Sequence, residues 1–107
     1  MGVIRVAAVA EIPSGRSKLI EAEGHRVAVF NVDGTFFAIA DTCPHKGGPL
    51  SDGTLEGFEV TCPWHGAKFD IRTGRVLAPP ATRGVQRYAI KIEGADIHVE
   101  LPPTEAV

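Results

Sequence analysis

Cys43-Pro44-His45 and Cys62-Pro63-Trp64-His65 each bring a thiol and an imidazole close together along the chain, and between them they hold both cysteines and two of the four histidines. Thiolate and imidazole are the donors that zinc, copper and iron centres take. A proline directly after each cysteine fixes a backbone dihedral and stiffens the tip, so two rigid loops could face one another around a metal centre. The order along the chain is Cys, His, Cys, His. Zinc fingers of the two-cysteine, two-histidine type instead run a cysteine pair and then a histidine pair, with wider spacing inside each pair. The spacing therefore argues against that site, while another tetrahedral zinc site stays open. A disulfide between Cys43 and Cys62 is the remaining alternative, and it would leave the matched histidines unexplained.

The elements that must position these residues read as β-structure. Gly (12) and Pro (8) are frequent and scattered, and branched and aromatic residues fall in short alternating runs with no long helical period. Across residues 25–39, Val27 and Val29 lead into Asp33-Gly34 and then Phe36, Phe37 and Ile39, which predicts a hairpin turning at Asp-Gly. A second hairpin is expected across 86–101, with Tyr88, Ile90 and Ile92 before Gly94 and Ile97, Val99 and Leu101 after it, closing the main sheet or barrel. Earlier strands are expected over 3–9 and 18–21, separated by Pro13-Ser14-Gly15. Residues 41–80 have a different, loop-rich texture. Phe58, Val60 and Cys62 share one parity, Phe69 and Ile71 another, and Arg72-Thr73-Gly74 turns the chain before Val76 and Leu77, which predicts three short strands with loops at one end. The tail 102–107 is expected to fray.

A chain of 107 residues with 44% hydrophobic composition suits one compact core and a single domain over 1–107, with a ligand-bearing subdomain at about 41–80. Net charge is −2 and the isoelectric point is near 6.0, which favours neither nucleic acid nor an anionic membrane as partner. The apolar opening stretch 1–12 contains Arg5 and Glu11 and has no cationic leader or long greasy run, so neither an export signal nor an anchor is expected. That points to the cytoplasm, where two cysteines more often bind metal or do redox work than form a structural disulfide.

The runs C-P-H-K-G-G-P-L from Cys43 and C-P-W-H-G-A-K-F-D from Cys62 resemble the two cluster-binding loops of Rieske proteins, in particular the Rieske-type 2Fe-2S ferredoxins of aromatic-ring-hydroxylating dioxygenase systems. The resemblance implies an all-β Rieske fold, an antiparallel β-sandwich or barrel carrying a small cluster-binding subdomain. It further implies one 2Fe-2S cluster, with Cys43 and Cys62 on the inner iron and His45 and His65 on the outer. Pro79-Pro80 looks like the proline-containing loop that covers the cluster in these proteins.

Two ferric ions, two sulfides and two thiolates sum to zero charge, whereas four thiolates would leave a dianion, so the histidine-ligated cluster takes an electron more easily. Rieske centres span roughly −150 to +300 mV against about −400 mV for plant-type ferredoxins. High-potential Rieske proteins of respiratory complexes carry an extra cysteine in each loop, where this chain has Gly48 and Trp64. They also place a serine and a tyrosine hydroxyl on cluster or ligand sulfur, where this chain has Ala67 and Phe69. Fewer donors predict a midpoint in the lower part of the range. Reduction is also expected to raise the pKa of the iron-bound imidazoles.

Around the ligands, Gly47, Gly48 and Gly66 are expected to permit tight turns that aim N–H groups at sulfur. Trp64 is expected to pack between the loops and shield the cluster. Lys46 could contact a docking partner, and Asp52, Glu56, Glu59 and Asp70 could give an acidic surround for a basic one. His25 and His98 read as ordinary surface or edge residues without a role.

With no nucleophile–base pair and no nucleotide fingerprint, the chain is expected to carry electrons rather than catalyse. The resemblance implies a three-part system: a flavin reductase oxidising NADH or NADPH, this ferredoxin as a monomer, and a terminal oxygenase with its own Rieske cluster and non-haem iron. Docking should be weak and fast. Two rival readings are a small subunit of an NADH-dependent nitrite reductase and a zinc-stabilised interaction module without redox activity.

Overall fold

A computed structural model describes residues 2–42, 48–64, 66–79 and 83–101. Ten strands follow in order: β1 (Gly2–Ala8), β2 (Ser17–Ala22), β3 (His25–Val32), β4 (Thr35–Ala40), β5 (Thr54–Glu56), β6 (Glu59–Thr61), β7 (Lys68–Asp70), β8 (Val76–Ala78), β9 (Arg87–Glu93) and β10 (Asp96–Leu101). Every pairing is antiparallel. The strands form a six-stranded sheet in the order β1-β10-β9-β4-β3-β2 and a four-stranded sheet in the order β5-β6-β7-β8. The larger sheet curls towards closure. This is the all-β architecture expected, and among the described residues the only helical pieces are 3-10 turns at Val9–Glu11 and Leu50–Asp52.

Turn chemistry sets the hairpins. Asp33 and Gly34 both adopt positive φ, 52° and 90°, the backbone of a type I′ turn whose twist matches the flanking strands. Glu23-Gly24, with φ of 49° and 82°, makes the same turn between β2 and β3, a hairpin that was not expected from the sequence. The β9–β10 hairpin turns at Gly94 as expected. It joins the sheet through both its strands, β10 pairing with β1 and β9 with β4.

Instead of the one core expected, the described residues bury two apolar clusters, with the β3–β4 hairpin as the wall between them. Side chains alternate across a strand. Val27 and Val29 of β3, with Phe36 and Ala38 of β4, therefore face the cluster inside the larger sheet, which also holds Ile97, Val99 and Leu101. Ala28 and Phe30, with Ile39, face the second cluster, where they meet Leu50, Val60, Cys62, Ala67, Phe69 and Ile71. Burial on both faces explains why β3 is an unbroken apolar run from Val27 to Phe30.

Asn31 ends that run as one of two buried polar residues among those described. Its amide donates to the Ile12 carbonyl at 2.7 Å and its oxygen accepts the Gly34 N–H at 2.8 Å, tying the segment before β2 to the β3–β4 turn. Replacing Asn31 with alanine strands both partners, at a cost of about 1–3 kcal/mol. Chemical denaturation should show the midpoint falling with little change in slope.

Two strand expectations need correction. β5 was not foreseen, since three residues carry too little alternation to read. Phe58 was expected to lie in a strand with Val60 and Cys62, but it sits in the β5–β6 turn. There the Arg72 guanidinium lies 4.3 Å over its ring, and Phe37 meets it edge-on at 5.7 Å.

Candidate cluster-binding site

Cys62 follows β6 and is 3% exposed, as a member of the second apolar cluster. Its N–H donates to the Ala67 carbonyl at 2.7 Å, and its own carbonyl accepts the Gly66 N–H at 3.1 Å. These two bonds close the 62–67 tip on top of the β6–β7 hairpin. Gly66 has the positive φ, 80°, that the tight turn needs, but its N–H is committed to a carbonyl and not to sulfur.

The first ligand segment is held at its neck. Thr42 and Pro49 form an isolated β-bridge. Beside it the Asp41 carbonyl accepts the Leu50 N–H at 2.7 Å, and Asp41 Oδ1 accepts the Ser51 N–H at 2.7 Å. Asp41 is fully buried, and the sequence reading had assigned it nothing. The available signal was a carboxylate directly after the apolar strand residues Ile39 and Ala40.

Gly48 joins the two segments. A Cβ placed on it would stand 2.8 Å from Cys62 Sγ and 3.0 and 3.1 Å from Trp64 Cγ and Cδ2. No side chain fits there, so the return of the first loop lies directly against the sulfur of the second. Gly48 does not have positive φ, so the expected reason for a glycine, a tight turn, gives way to close backbone approach. Trp64 lies with its ring against Gly48 while the residue is 56% exposed, so it covers this contact from one side and is not enclosed between the loops. Cys43, His45, Lys46, Gly47, His65 and Pro80 lie outside the described residues, as does the tail 102–107. Pro79 is exposed, immediately after β8.

The segment leading to the prolines is anchored by glycines. Val85 N–H donates to the Gly74 carbonyl at 2.8 Å, and a Cβ on Gly74 would meet the Val85 carbonyl oxygen at 2.0 Å. Ala67 and Phe69 are fully buried beside Cys62 in the same cluster, and neither supplies a hydroxyl.

Asp70 is not a free docking carboxylate. It accepts two of the guanidinium nitrogens of Arg72, Nε at 3.1 Å and Nη2 at 2.9 Å, and the Arg72 backbone N–H at 2.9 Å, and these bonds hold its pKa below the usual carboxylate range. A depressed folded pKa contributes stability that is complete above the unfolded pKa and is lost as pH falls through the folded value. Acid titration of stability should therefore show a component that disappears in Asp70→Asn, with both proteins converging at the lowest pH. Asp52, Glu56 and Glu59 are exposed.

The two other histidines depart from expectation. His98 is on a central strand, paired with Arg5 and Lys91 across the sheet, with its side chain 19% exposed. His25 Nδ1 lies 3.1 Å from the hydroxyl of Tyr88, a group whose pKa burial raises.

The buried thiol of one loop pressed against the return of the other fits a two-loop cluster site. Two thiols and two imidazoles are also the donor set that leaves such a cluster neutral when oxidised. Comparison with known proteins decides the family: the Rieske [2Fe-2S] domain matches residues 2–89. The chain belongs to the Rieske family. The cofactor of this Rieske domain is accordingly one Rieske-type 2Fe-2S cluster.

Among its relatives is the ferredoxin component of the naphthalene 1,2-dioxygenase system of Pseudomonas aeruginosa, 39% identical over 98 residues, or 92% of this chain and 94% of the relative. Another is the biphenyl dioxygenase ferredoxin subunit of Pseudomonas sp. (strain KKS102), 41% identical over 101 residues, or 94% and 93%. The fold superimposes with a TM-score of 0.86 on a chain in the complex of reduced oxygenase and oxidized ferredoxin in carbazole 1,9a-dioxygenase, at 30% identity and covering 91% of both chains. Among the described residues no helix is long and apolar enough to cross a membrane.

Proposed function

We propose that this Rieske domain is the ferredoxin of an aromatic-ring dioxygenase system. It takes one electron at a time from an NAD(P)H-dependent flavin reductase and passes it to a terminal non-haem iron oxygenase. Cys43 and Cys62 hold the inner iron, His45 and His65 the outer, and the cluster when bound supplies reversible one-electron chemistry. The observation that carries the reading is the Gly48–Cys62 contact, which brings the two ligand segments together at one end of the four-stranded sheet.

The chain's own part is to hold and shield. Hydrogen bonds at Asp41, Cys62 and Gly66 fix the two loop bases, and Val60, Ala67 and Phe69 keep water from the Cys62 side. Low reorganisation on gaining an electron follows from a packed, hydrogen-bonded surround. Residues 1–107 act as one domain, a cytoplasmic monomer docking weakly with each partner in turn. The absence of hydroxyls at Ala67 and Phe69 supports a midpoint in the lower part of the Rieske range. Relatives at 39% and 41% identity named as dioxygenase ferredoxins support the carrier over the nitrite reductase subunit and the zinc module.

The test is reconstitution. Anaerobically loaded protein should contain two irons and two sulfides per chain, take up one electron, and give a reduced-state spin-resonance spectrum of a mixed-ligand cluster. Added to a flavin reductase and a ring-hydroxylating oxygenase, it should restore NADH-dependent product formation that the two lack alone. Iron-free, colourless protein, or loaded protein that passes no electrons to any such oxygenase, would refute the proposal.

A further inference from the structure

Apart from Arg16, every described lysine or arginine that forms no ion pair among the described residues lies on one flank of the molecule. Lys68 opens β7, opposite Ala78 of the edge strand β8. Arg75 directly precedes β8, and its carbonyl accepts the Asp70 N–H at 2.9 Å. Arg83 adjoins it, because Gly84 packs so closely that a Cβ there would stand 3.3 Å from Arg75 Cα. Arg87 of β9 lies opposite Ile39 of β4, on the sheet face that looks towards the second apolar cluster. Arg75, Arg83 and Arg87 are exposed. Arg75 lends only the weakest of the attractions felt by Asp70, which Arg72 already holds by hydrogen bonds. Outside the described residues the sequence has a single acidic side chain, Glu105, too little to neutralise the row.

The opposite flank of the same sheet is acidic. Glu56 and Glu59 face each other across β5 and β6, and with Asp52 they are exposed and form no ion pair among the described residues. Between the flanks, Asp70 and Arg72 neutralise each other. The sheet order β5-β6-β7-β8 therefore sets negative charge at one edge and positive charge at the other, a field that turns an approaching acidic surface towards β8. That edge also presents apolar surface: Leu77 on β8 is 45% exposed, and Pro79 just beyond it is exposed. Apolar contact with charge around it is the make-up of a transient protein interface. The flank reaches the proposed cluster end, since β7 starts directly after Ala67, whose carbonyl closes the Cys62 tip.

Charge counting selects the partner. A cluster on the proposed ligand set is neutral when oxidised and gains one negative charge on reduction. An acidic surface held at β8 is therefore bound more weakly after the electron has arrived, which suits the donor, because the donor must release the reduced form. The acceptor needs the reverse preference. We propose that the β8 flank, through Arg75, Arg83 and Arg87, is the docking surface for the flavin reductase, which meets it with carboxylates. The inference rests on the carrier reading given above.

The experiment uses cluster-loaded wild type, Arg75→Gln/Arg83→Gln/Arg87→Gln and Glu56→Gln/Glu59→Gln. An NADH-dependent flavin reductase and a ring-hydroxylating oxygenase from an aromatic-ring dioxygenase system are the probes. At low ionic strength the arginine variant should raise both the KM for ferredoxin in reductase-driven reduction and the Kd of the oxidised complex by about tenfold, with kcat and the reduced-state spin resonance unchanged. In ~1 M salt, where charges are screened beyond about 3 Å, that difference should shrink below about twofold. Electron transfer from the reduced arginine variant to the oxygenase should stay within about twofold of wild type, and the glutamate variant should raise neither KM nor Kd at the reductase.

A KM and Kd within about twofold of wild type at low salt overturn the proposal. So does a loss that persists in high salt, a loss that falls on the oxygenase step instead, or an equal loss in the glutamate variant. Should the triple variant fail to load a cluster, Arg75→Gln decides by the same two measurements: raised values that high salt abolishes support the flank, and unchanged values overturn it. Wild type that dithionite reduces but the reductase does not would instead bring down the carrier reading.

Discussion

Gly74→Ala is expected to destabilise the fold by about 3 kcal/mol or more, a large share of the roughly 5–15 kcal/mol that holds a domain of this kind together. Two costs coincide at this position. The backbone φ of 83° is left-handed, which costs a residue with a side chain about 1 kcal/mol. The new methyl would also stand 2.0 Å from the Val85 carbonyl oxygen, a backbone atom in the segment that Val85 N–H ties to Gly74. Relief requires the 74–76 and 83–85 segments to part, and they flank the β8 strand and the prolines beyond it. Two controls separate the terms. Gly57→Ala has φ of 59° and open space around it, so it should lose only about 1 kcal/mol. Gly84→Ala, whose methyl would meet the Gly74 oxygen at 2.3 Å without positive φ, should fall between the two. Equilibrium urea unfolding checks the order, and equal stability of the Gly57 and Gly74 variants would show that the close approach carries no energy.

Gly48→Ala is expected to leave the fold standing and strike the cluster. Its methyl would lie 2.8 Å from Cys62 Sγ and 3.0–3.1 Å from the Trp64 ring. The indole is largely exposed and can swing away, but the sulfur is packed in the second apolar cluster and cannot. Overpacking of this kind costs about 1–3 kcal/mol. In the proposed ligand set the crowded sulfur holds iron, so the cost falls on metal binding as well, where it corresponds to roughly 10- to 100-fold weaker cluster retention. Iron and sulfide per chain should drop and visible absorbance should decay faster under chelator, while the apo-protein stays folded with an unfolding midpoint lowered by no more than that strain. A fully loaded Gly48→Ala protein with wild-type decay would show that the two loops do not need this proximity.

The two Cys-Pro segments stood out because few side chains bind iron, and a Cys-His pair recurring at short spacing with prolines is specific. The larger hairpins were legible for a similar local reason. Asp-Gly tolerates the two positive φ values of a type I′ turn, and alternation along 25–40 and 87–101 is long enough to read. Glu23-Gly24 makes the same turn but was missed, because glutamate carries no preference for left-handed backbone and only half the signal was present. Phe58 misled through its parity with Val60 and Cys62. What fixes it is the stack of Arg72 on its ring and Phe37 at its edge, contacts made by residues far away in sequence.

From the order of residues came the all-β class, read in patterns a few residues long, and the type of cofactor, read in the resemblance of two short motifs to Rieske cluster-binding loops. Tertiary structure alone decided that β3 and β4 divide two apolar clusters, that Gly48 rests on the Cys62 sulfur, and that Asp41 sits buried at the neck of the first loop. Each of these is a distance between segments that local sequence leaves free. Such distances become fixed only when the strands pack and two stretches of backbone compete for the same space.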